Sequence, residues 1–229
     1  LSILFRKSIL SGTLPKGWLC ANITPLHKGG SKLESVNYRP VSLTFIVCKI
    51  SESYVKTAIT THLERYNLIN GFQHGFVRNK SCTINLIETL DMVSGTIANG
   101  SQVDVIHLDF AKAFDKVSHR RLLQKIKAYG INDEVLRWIS SFLANRTQRV
   151  VLGNTVSDWA SVDSGVPQGS VLGPLLFIIY INDLPYDLLN PCKLYADDSK
   201  LIARVDNDQE YTQTQIDLDT ICRWCVEWD

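Results

Sequence analysis

Two aspartates stand side by side near the C-terminal end, Asp197 and Asp198 in L-Y-A-D-D-S-K-L, and a third, Asp109, ends the run V-I-H-L-D. An Asp pair between two apolar runs is first of all a turn, because the short side chain bonds its own backbone and tolerates unusual dihedrals. A chemical reading needs a third carboxylate beside the pair. Bringing three carboxylates together without a cation is costly, and hard oxygen ligands suit Mg²⁺ or Mn²⁺. Two such ions, about 3.5–4 Å apart, would activate an attacking hydroxyl and stabilise a leaving oxygen in phosphoryl transfer.

That chemistry depends on the elements that carry the aspartates. Alternation and β-branching from Asp104 to Phe110 predict a strand with Val105, His107 and Asp109 on one face. Residues 193–196 and 199–205 predict a hairpin with Asp197 and Asp198 at its tip. If strand and hairpin lie side by side in one sheet, the three carboxylates meet at one edge. Helices are predicted over residues 1–11, 44–61, 82–99 with Ser81 as cap, a stretch to Tyr129 capped by Ser118 and ended by Gly130, 133–143, 171–183 and 208–228. The last presents Ile216, Leu218 and Ile221 on its apolar side. A short strand is expected over 20–26, a break in structure at Asn37–Pro40, and a hairpin of 148–152 with 155–162 about a Gly153-Asn154 turn. Helices grouped with antiparallel hairpins argue an α+β fold.

The composition is that of a globular protein with a sizeable core: 229 residues, 45% hydrophobic and 21% charged. A net charge of +1 excludes a global basic signature. Basic residues nevertheless crowd residues 112–149, where Lys112, Lys116, Arg120, Arg121, Lys125, Lys127, Arg137, Arg146 and Arg149 face only Asp115, Asp133 and Glu134. A locally basic face beside a locally acidic site is compatible with a polyanionic substrate. Cys222 and Cys225 have metal-ligand spacing, but no second pair lies nearby and the five histidines are scattered, which argues against zinc. The longest apolar run, 171–181, contains Gly and Pro and is too short to span a bilayer. The chain starts without Met and ends within a predicted helix, so a piece of a longer polypeptide is expected.

Five ordered motifs go further: N-Y-R-P-V-S-L, G-F-Q-H-G-F-V-R-N-K-S-C, V-I-H-L-D-F-A-K-A-F-D-K-V-S-H, S-G-V-P-Q-G-S-V-L-G-P-L-L-F and L-Y-A-D-D. Together they resemble a reverse transcriptase of the LINE-type, non-LTR retrotransposons, in the clade of chicken-repeat and jockey elements, over almost the whole chain. The resemblance implies the fingers and palm of a right-hand polymerase, an antiparallel palm sheet packed on helices, with the thumb absent. Fingers would occupy about 1–100 and part of 130–165, and palm about 101–130 and 166–229.

The resemblance also implies site residues. Asp109, Asp197 and Asp198 would be catalytic and, with the Phe110 carbonyl, would hold two Mg²⁺ ions, for which Mn²⁺ can substitute. Phe114 takes the place of an aromatic sugar gate, a flat ring that leaves no room for a 2′-hydroxyl. Gln168 and Gly169, in G-V-P-Q-G, and Arg78 would meet the incoming nucleotide. Arg39, Tyr195 and Lys200 are candidate primer or phosphate contacts, with Lys193 also flanking the hairpin. Asp115 and His119 are read as structural, capping and packing around the turn. The implied reaction is addition of dNTPs to a primer 3′-hydroxyl during target-primed reverse transcription. Its partners would be an RNA template and a DNA primer with no membrane, and an endonuclease and thumb would lie elsewhere in the polyprotein. The setting would be intracellular, nuclear during integration and cytoplasmic as a ribonucleoprotein. Other readings are an RNA-dependent RNA polymerase, a group II intron-type maturase, and a non-catalytic RNA-binding relic or domesticated copy.

Overall fold

The computed structural model describes residues 1–228 as two compact units, each assembled from two stretches of chain. Among the described residues, the first comprises 1–65 and 114–176, the second 66–113 and 177–228. Both combine helices with mainly antiparallel sheet, the α+β class expected.

In the first unit, α1 (Ser2–Ser11), α2 (Ile46–Arg65), α5 (His119–Ala128) and α6 (Asp133–Leu143) surround an apolar core. On α2 the buried positions Cys48, Glu52, Val55, Ile59 and Leu63 recur at helical spacing. The rings of Trp138 and Phe142 on α6 stack at 5.6 Å, and the Trp138 indole N–H donates to the Ser8 hydroxyl at 3.0 Å. Ser118 occupies the N-cap position of α5, but its side chain makes no capping bond.

The sheet of this unit runs β2 (Tyr38–Leu43), β1 (Cys20–His27), β4 (Arg146–Leu152) and β5 (Thr155–Val156), with β6 (Ala160–Val162) also paired to β4. β2 corrects the expected break at Asn37–Pro40. Pro40 lacks an N–H, but it lies on an edge strand opposite Pro25, where the ladder needs no donor from either. The segment expected as one strand over 155–162 is interrupted at Ser157–Trp159. Its pairing with β4 shifts by one residue, from Val151↔Val156 to Gln148↔Ala160, which is the signature of a bulge.

The second unit holds a three-stranded antiparallel sheet in the order β3 (Val103–Leu108), β8 (Asp198–Arg204), β7 (Cys192–Tyr195). α3 (Cys82–Ala98) and α8 (Asp208–Trp228) pack on it. The Ser81 hydroxyl accepts the Ile84 amide at 3.2 Å, the cap expected for α3. On α8 the buried stripe is Thr214, Asp217 and Ile221, whereas Ile216 is exposed. The carboxylate of Asp217 explains the difference. It is fully buried because it accepts the amides of Leu189 and Asn190 and the Asn190 side chain, at 2.7–2.9 Å, closing the loop before β7. The chain passes between the units at 65–66, within the single turn α4 (Ala113–Lys116) and within the apolar helix α7 (Gly173–Ile181).

Candidate active site

The second unit carries the three aspartates. β3 and β8 pair with Leu108 opposite Ser199 and His107 opposite Lys200, so the next step of the register sets Asp109 opposite Asp198. β7 and β8 pair out to Tyr195↔Asp198, leaving Ala196 and Asp197 as a two-residue turn. Asp198 therefore begins a strand and only Asp197 lies in the turn. Strand and hairpin are neighbours in one sheet, as the chemical reading required. Asp109 and Asp198 are exposed and Asp197 is half-buried. Among the described residues, however, no group of three or more His, Cys, Asp or Glu side chains stands together ready to hold a metal ion. The backbone sets the carboxylates side by side without drawing them into a closed ligand set. Their chemistry, hard oxygen at one sheet edge, fits Mg²⁺ or Mn²⁺.

The Phe110 carbonyl, expected as a further ligand, accepts the Ala113 amide at 3.2 Å. A carbonyl has two lone pairs, so one acceptor position remains. The Phe110 ring meets Trp224 of α8 edge to face at 6.3 Å, and the Trp224 indole donates to Asp183 at 3.0 Å. This aromatic contact anchors the strand end that bears Asp109.

The hairpin turn is held from its other side by a loop that the sequence offered only for Arg78. His74 donates its amide to the Leu194 carbonyl, and Leu194 donates to the Phe72 carbonyl, at 2.9 and 3.0 Å. Residues 72–74 thus form a one-residue parallel bridge to β7. Gln73 is fully buried, and its Oε1 accepts the amides of both Gly75 (2.7 Å) and Ala196 (3.0 Å). A Cβ on Gly75 would stand 2.3 Å from the Ala196 nitrogen, so only glycine admits this approach.

Beside this loop Lys193 is buried and hydrogen-bonded to Glu88, whose carboxylate also lies 3.3 Å from His74 Nε2. The Lys193 bond, and secondarily His74, hold the Glu88 carboxyl below its ordinary value. Lys193 thus bonds Glu88 beside the hairpin it flanks. Lys80 similarly donates to the Gly71 carbonyl, while Arg78 is exposed. Tyr195 is half-buried and Lys200 buried, facing each other's neighbours across the hairpin.

The first unit carries Phe114, Gln168 and Gly169. The loop of residues 164–168 is bound along residues 114–119. Val166 donates to the Phe114 carbonyl and Gly165 to the Val117 carbonyl, both at 2.8 Å. The Ser164 hydroxyl donates to the Asp115 carbonyl at 2.9 Å, and His119 Nε2 lies 2.7 Å from the Gly165 carbonyl. The Gln168 amide donates to the Asp115 carboxylate at 3.0 Å. Asp115 and His119 thus both bond the loop of residues 164–168, and Asp115 shows no capping bond among the described residues. Gly165 has φ +85°, and a Cβ there would stand 2.6 Å from the Asp115 carbonyl. The Gln168 carbonyl accepts the Ser42 amide at 2.6 Å, tying the loop to β2, the strand that bears exposed Arg39.

A buried carboxylate completes this loop, and the sequence reading did not single it out. Glu52 on α2 is fully buried, and its Oε2 accepts the amides of Val171 and Leu172 at 2.7 and 3.0 Å. These are orphan donors just ahead of α7, where a negative charge is favoured. Burial first, and the Glu52 charge next, push the neighbouring Cys48 thiol up to about 12.

Comparison with known proteins decides the family. The sequence pattern of "Reverse transcriptase (RNA-dependent DNA polymerase)" matches residues 26–229. The chain belongs to the reverse transcriptase family. Its relatives include the RNA-directed DNA polymerase from mobile element jockey of Drosophila melanogaster, 30% identical across the whole of this chain and 26% of the relative. Another is the probable RNA-directed DNA polymerase from transposon BS of the same fly, 28% identical over the same shares. The chain thus spans about a quarter of the length of these relatives. These relatives belong to mobile elements, in line with the LINE-type resemblance that the motifs carry. The fold is similar to part of telomerase. The apo enzyme of Candida tropicalis matches 90% of this chain and 47% of its own, with TM-score 0.61 and 12% identity. The Candida albicans enzyme, solved with a fragment of telomeric RNA, matches 94% of this chain and 42% of its own, with TM-score 0.64 and 11% identity.

Proposed function

We propose that this domain is the polymerase of a non-LTR retrotransposon, adding deoxynucleotides to a primer 3′-hydroxyl on an RNA template. The observation that carries the reading is the sheet register, which pairs Leu108 with Ser199 and so brings the strand end before Asp109 beside the hairpin of Asp197 and Asp198. These carboxylates and the free lone pair of the Phe110 carbonyl would hold two Mg²⁺ ions. Bound there, the ions supply a lowered pKa for the primer hydroxyl and charge neutralisation on the triphosphate. The chain's own contribution is positioning and electrostatics.

Phe114 excludes a 2′-hydroxyl, and its hydrogen-bonded backbone supports that role by fixing where the ring starts. Gln168 and Gly169 meet the nucleotide and template. Arg78, exposed in the second unit, is the candidate triphosphate cation, and Arg39 a candidate primer or phosphate contact. Arginine suits bidentate phosphate contact. Tyr195 and Lys200 support the primer end. An endonuclease and a thumb would come from the rest of a polyprotein of the relatives' length, working in the nucleus during integration and in the cytoplasm as a ribonucleoprotein.

The test is extension of oligo(dT) on poly(rA) with dTTP by the full-length protein, with Asp197→Asn/Asp198→Asn and rUTP beside it. Extension by wild type, absent from the variant and weak with rUTP, is expected. Template binding without extension would favour a non-catalytic RNA-binding relic.

A further inference from the structure

The turn that carries Asp197 has an unusual backbone. Ala196 stands at φ +57°, at the first central position of a two-residue hairpin loop. Such a loop favours glycine at that position, and a left-handed alanine persists only where its surroundings enforce it. The surroundings here are specific. The Ala196 amide is bound at 3.0 Å by the Oε1 of Gln73, a side chain with no exposed surface. The same oxygen accepts the Gly75 amide at 2.7 Å, which fixes the glutamine against its own loop. Gly75 is packed so closely on the turn that a Cβ would strike the Ala196 nitrogen at 2.3 Å. The loop is also pinned to β7 by the two Leu194 backbone bonds and by Asn85, whose amide donates to the Leu194 carbonyl at 3.3 Å.

We propose that Gln73 is a positioning residue for catalysis: through the Ala196 amide it holds the hairpin turn in its left-handed form and so sets where the Asp197 and Asp198 carboxylates point. The catalytic part of this inference rests on the polymerase reading above. The clamp itself rests only on the geometry of the second unit. The side chain is needed for its oxygen. Its Nε2 is buried and has no hydrogen-bond partner among the described residues. Methionine at this position keeps the volume and loses the acceptor. Glutamic acid keeps an acceptor oxygen in either protonation state.

The experiment compares wild type, Gln73→Met, Gln73→Glu and Gly75→Ala in the full-length protein. It measures amide hydrogen exchange at Ala196 without metal or substrate, thermal midpoint, and single-nucleotide addition on poly(rA)/oligo(dT). In Gln73→Met, Ala196 should exchange roughly tenfold faster, while the midpoint and exchange elsewhere in β8 stay near wild type. Nucleotide addition should fall about 100-fold in kcat, the cost of an ångström-scale misplacement, with KM for dTTP within about twofold. Gln73→Glu should recover both exchange protection and kcat. Gly75→Ala, which displaces the turn with Gln73 in place, should lower kcat in the same way.

Unchanged exchange at Ala196 in Gln73→Met, or faster exchange with wild-type kcat, would overturn the proposal. So would parallel loss of kcat, KM and thermal midpoint in both Gln73 variants, which marks a scaffold residue only. If wild type adds no nucleotide, the polymerase reading fails, and exchange at Ala196 alone then upholds or overturns the clamp.

Discussion

The two units hold their candidate site residues in different ways. In the second unit the aspartates are set by regular sheet register, one strand end facing one hairpin, and the surrounding loop only restrains the turn. In the first, Phe114 sits in the single turn α4, and Gln168 sits on an irregular loop shaped by side chains that reach from elsewhere: Asp115, His119 and the buried Glu52. Repeating backbone bonds place a residue without reference to side-chain identity. A loop depends on each anchor, and a missing anchor leaves buried amides unsatisfied. The chemistry of the second unit should therefore respond to its acting residues, and that of the first to its anchors.

The largest expected effect is in the second unit. Asp109→Asn should reduce nucleotide addition by roughly 10³-fold or more, as expected for loss of a group that acts in the transition state. The circular dichroism spectrum and thermal midpoint should not change, because Asp109 is exposed and lies beyond the last paired residue of β3. Loss of folding along with activity would break the comparison.

Glu52→Ala should do the opposite. It leaves the Val171 and Leu172 amides without their acceptor in a buried place, at a cost of about 3 kcal/mol in stability. Chemical denaturation measures it, and a change under about 1 kcal/mol would show that the loop does not need its anchor.

Asp115→Ala sharpens the same point at smaller scale. Removing the acceptor of the Gln168 amide should raise KM for dTTP several-fold, with kcat much less affected. Steady-state kinetics on poly(rA)/oligo(dT) separates the two.

The smallest effect concerns pH. The Glu88 carboxyl is held below its ordinary 4.5 by the Lys193 bond first. A depressed folded-state pKa gives stability that is present above the unfolded value and lost as pH falls through the folded one. Acid should therefore loosen this cluster only below about 4.5. Glu88→Gln should flatten that part of the stability profile by a fraction of a kcal/mol, since the glutamate is partly exposed. Equal acid limbs in the two proteins would remove Glu88 from the account.

The same contrast explains what could be read from the sequence. β3, the hairpin of β7 and β8, and α6 follow from alternation, apolar spacing and cap residues, which are local signals. β2 was hidden because a proline reads as a breaker until the strand is known to be an edge. Ile216 was assigned to the wrong face of α8 because a buried Asp217 took the place the apolar pattern would give to a hydrophobe. Glu52 and Gln73 were not legible as anchors. Each is an ordinary polar residue with a partner more than a hundred residues away, at Val171 and at Ala196. The glycines of G-F-Q-H-G were visible, but what Gly75 must approach was not.

The claim that the register of β3 with β8 builds a two-metal site is tested most directly by Mn²⁺ binding. Electron paramagnetic resonance should follow a Mn²⁺ titration of wild type, Asp109→Asn, Asp198→Asn and Asp104→Asn in the presence of dTTP. Asp104 is an exposed aspartate within β3, at a position of opposite parity to Asp109 beyond the strand's end. The account predicts that Asp109→Asn and Asp198→Asn each weaken Mn²⁺ binding at least tenfold while Asp104→Asn binds like wild type. Equal binding by all four proteins would contradict it.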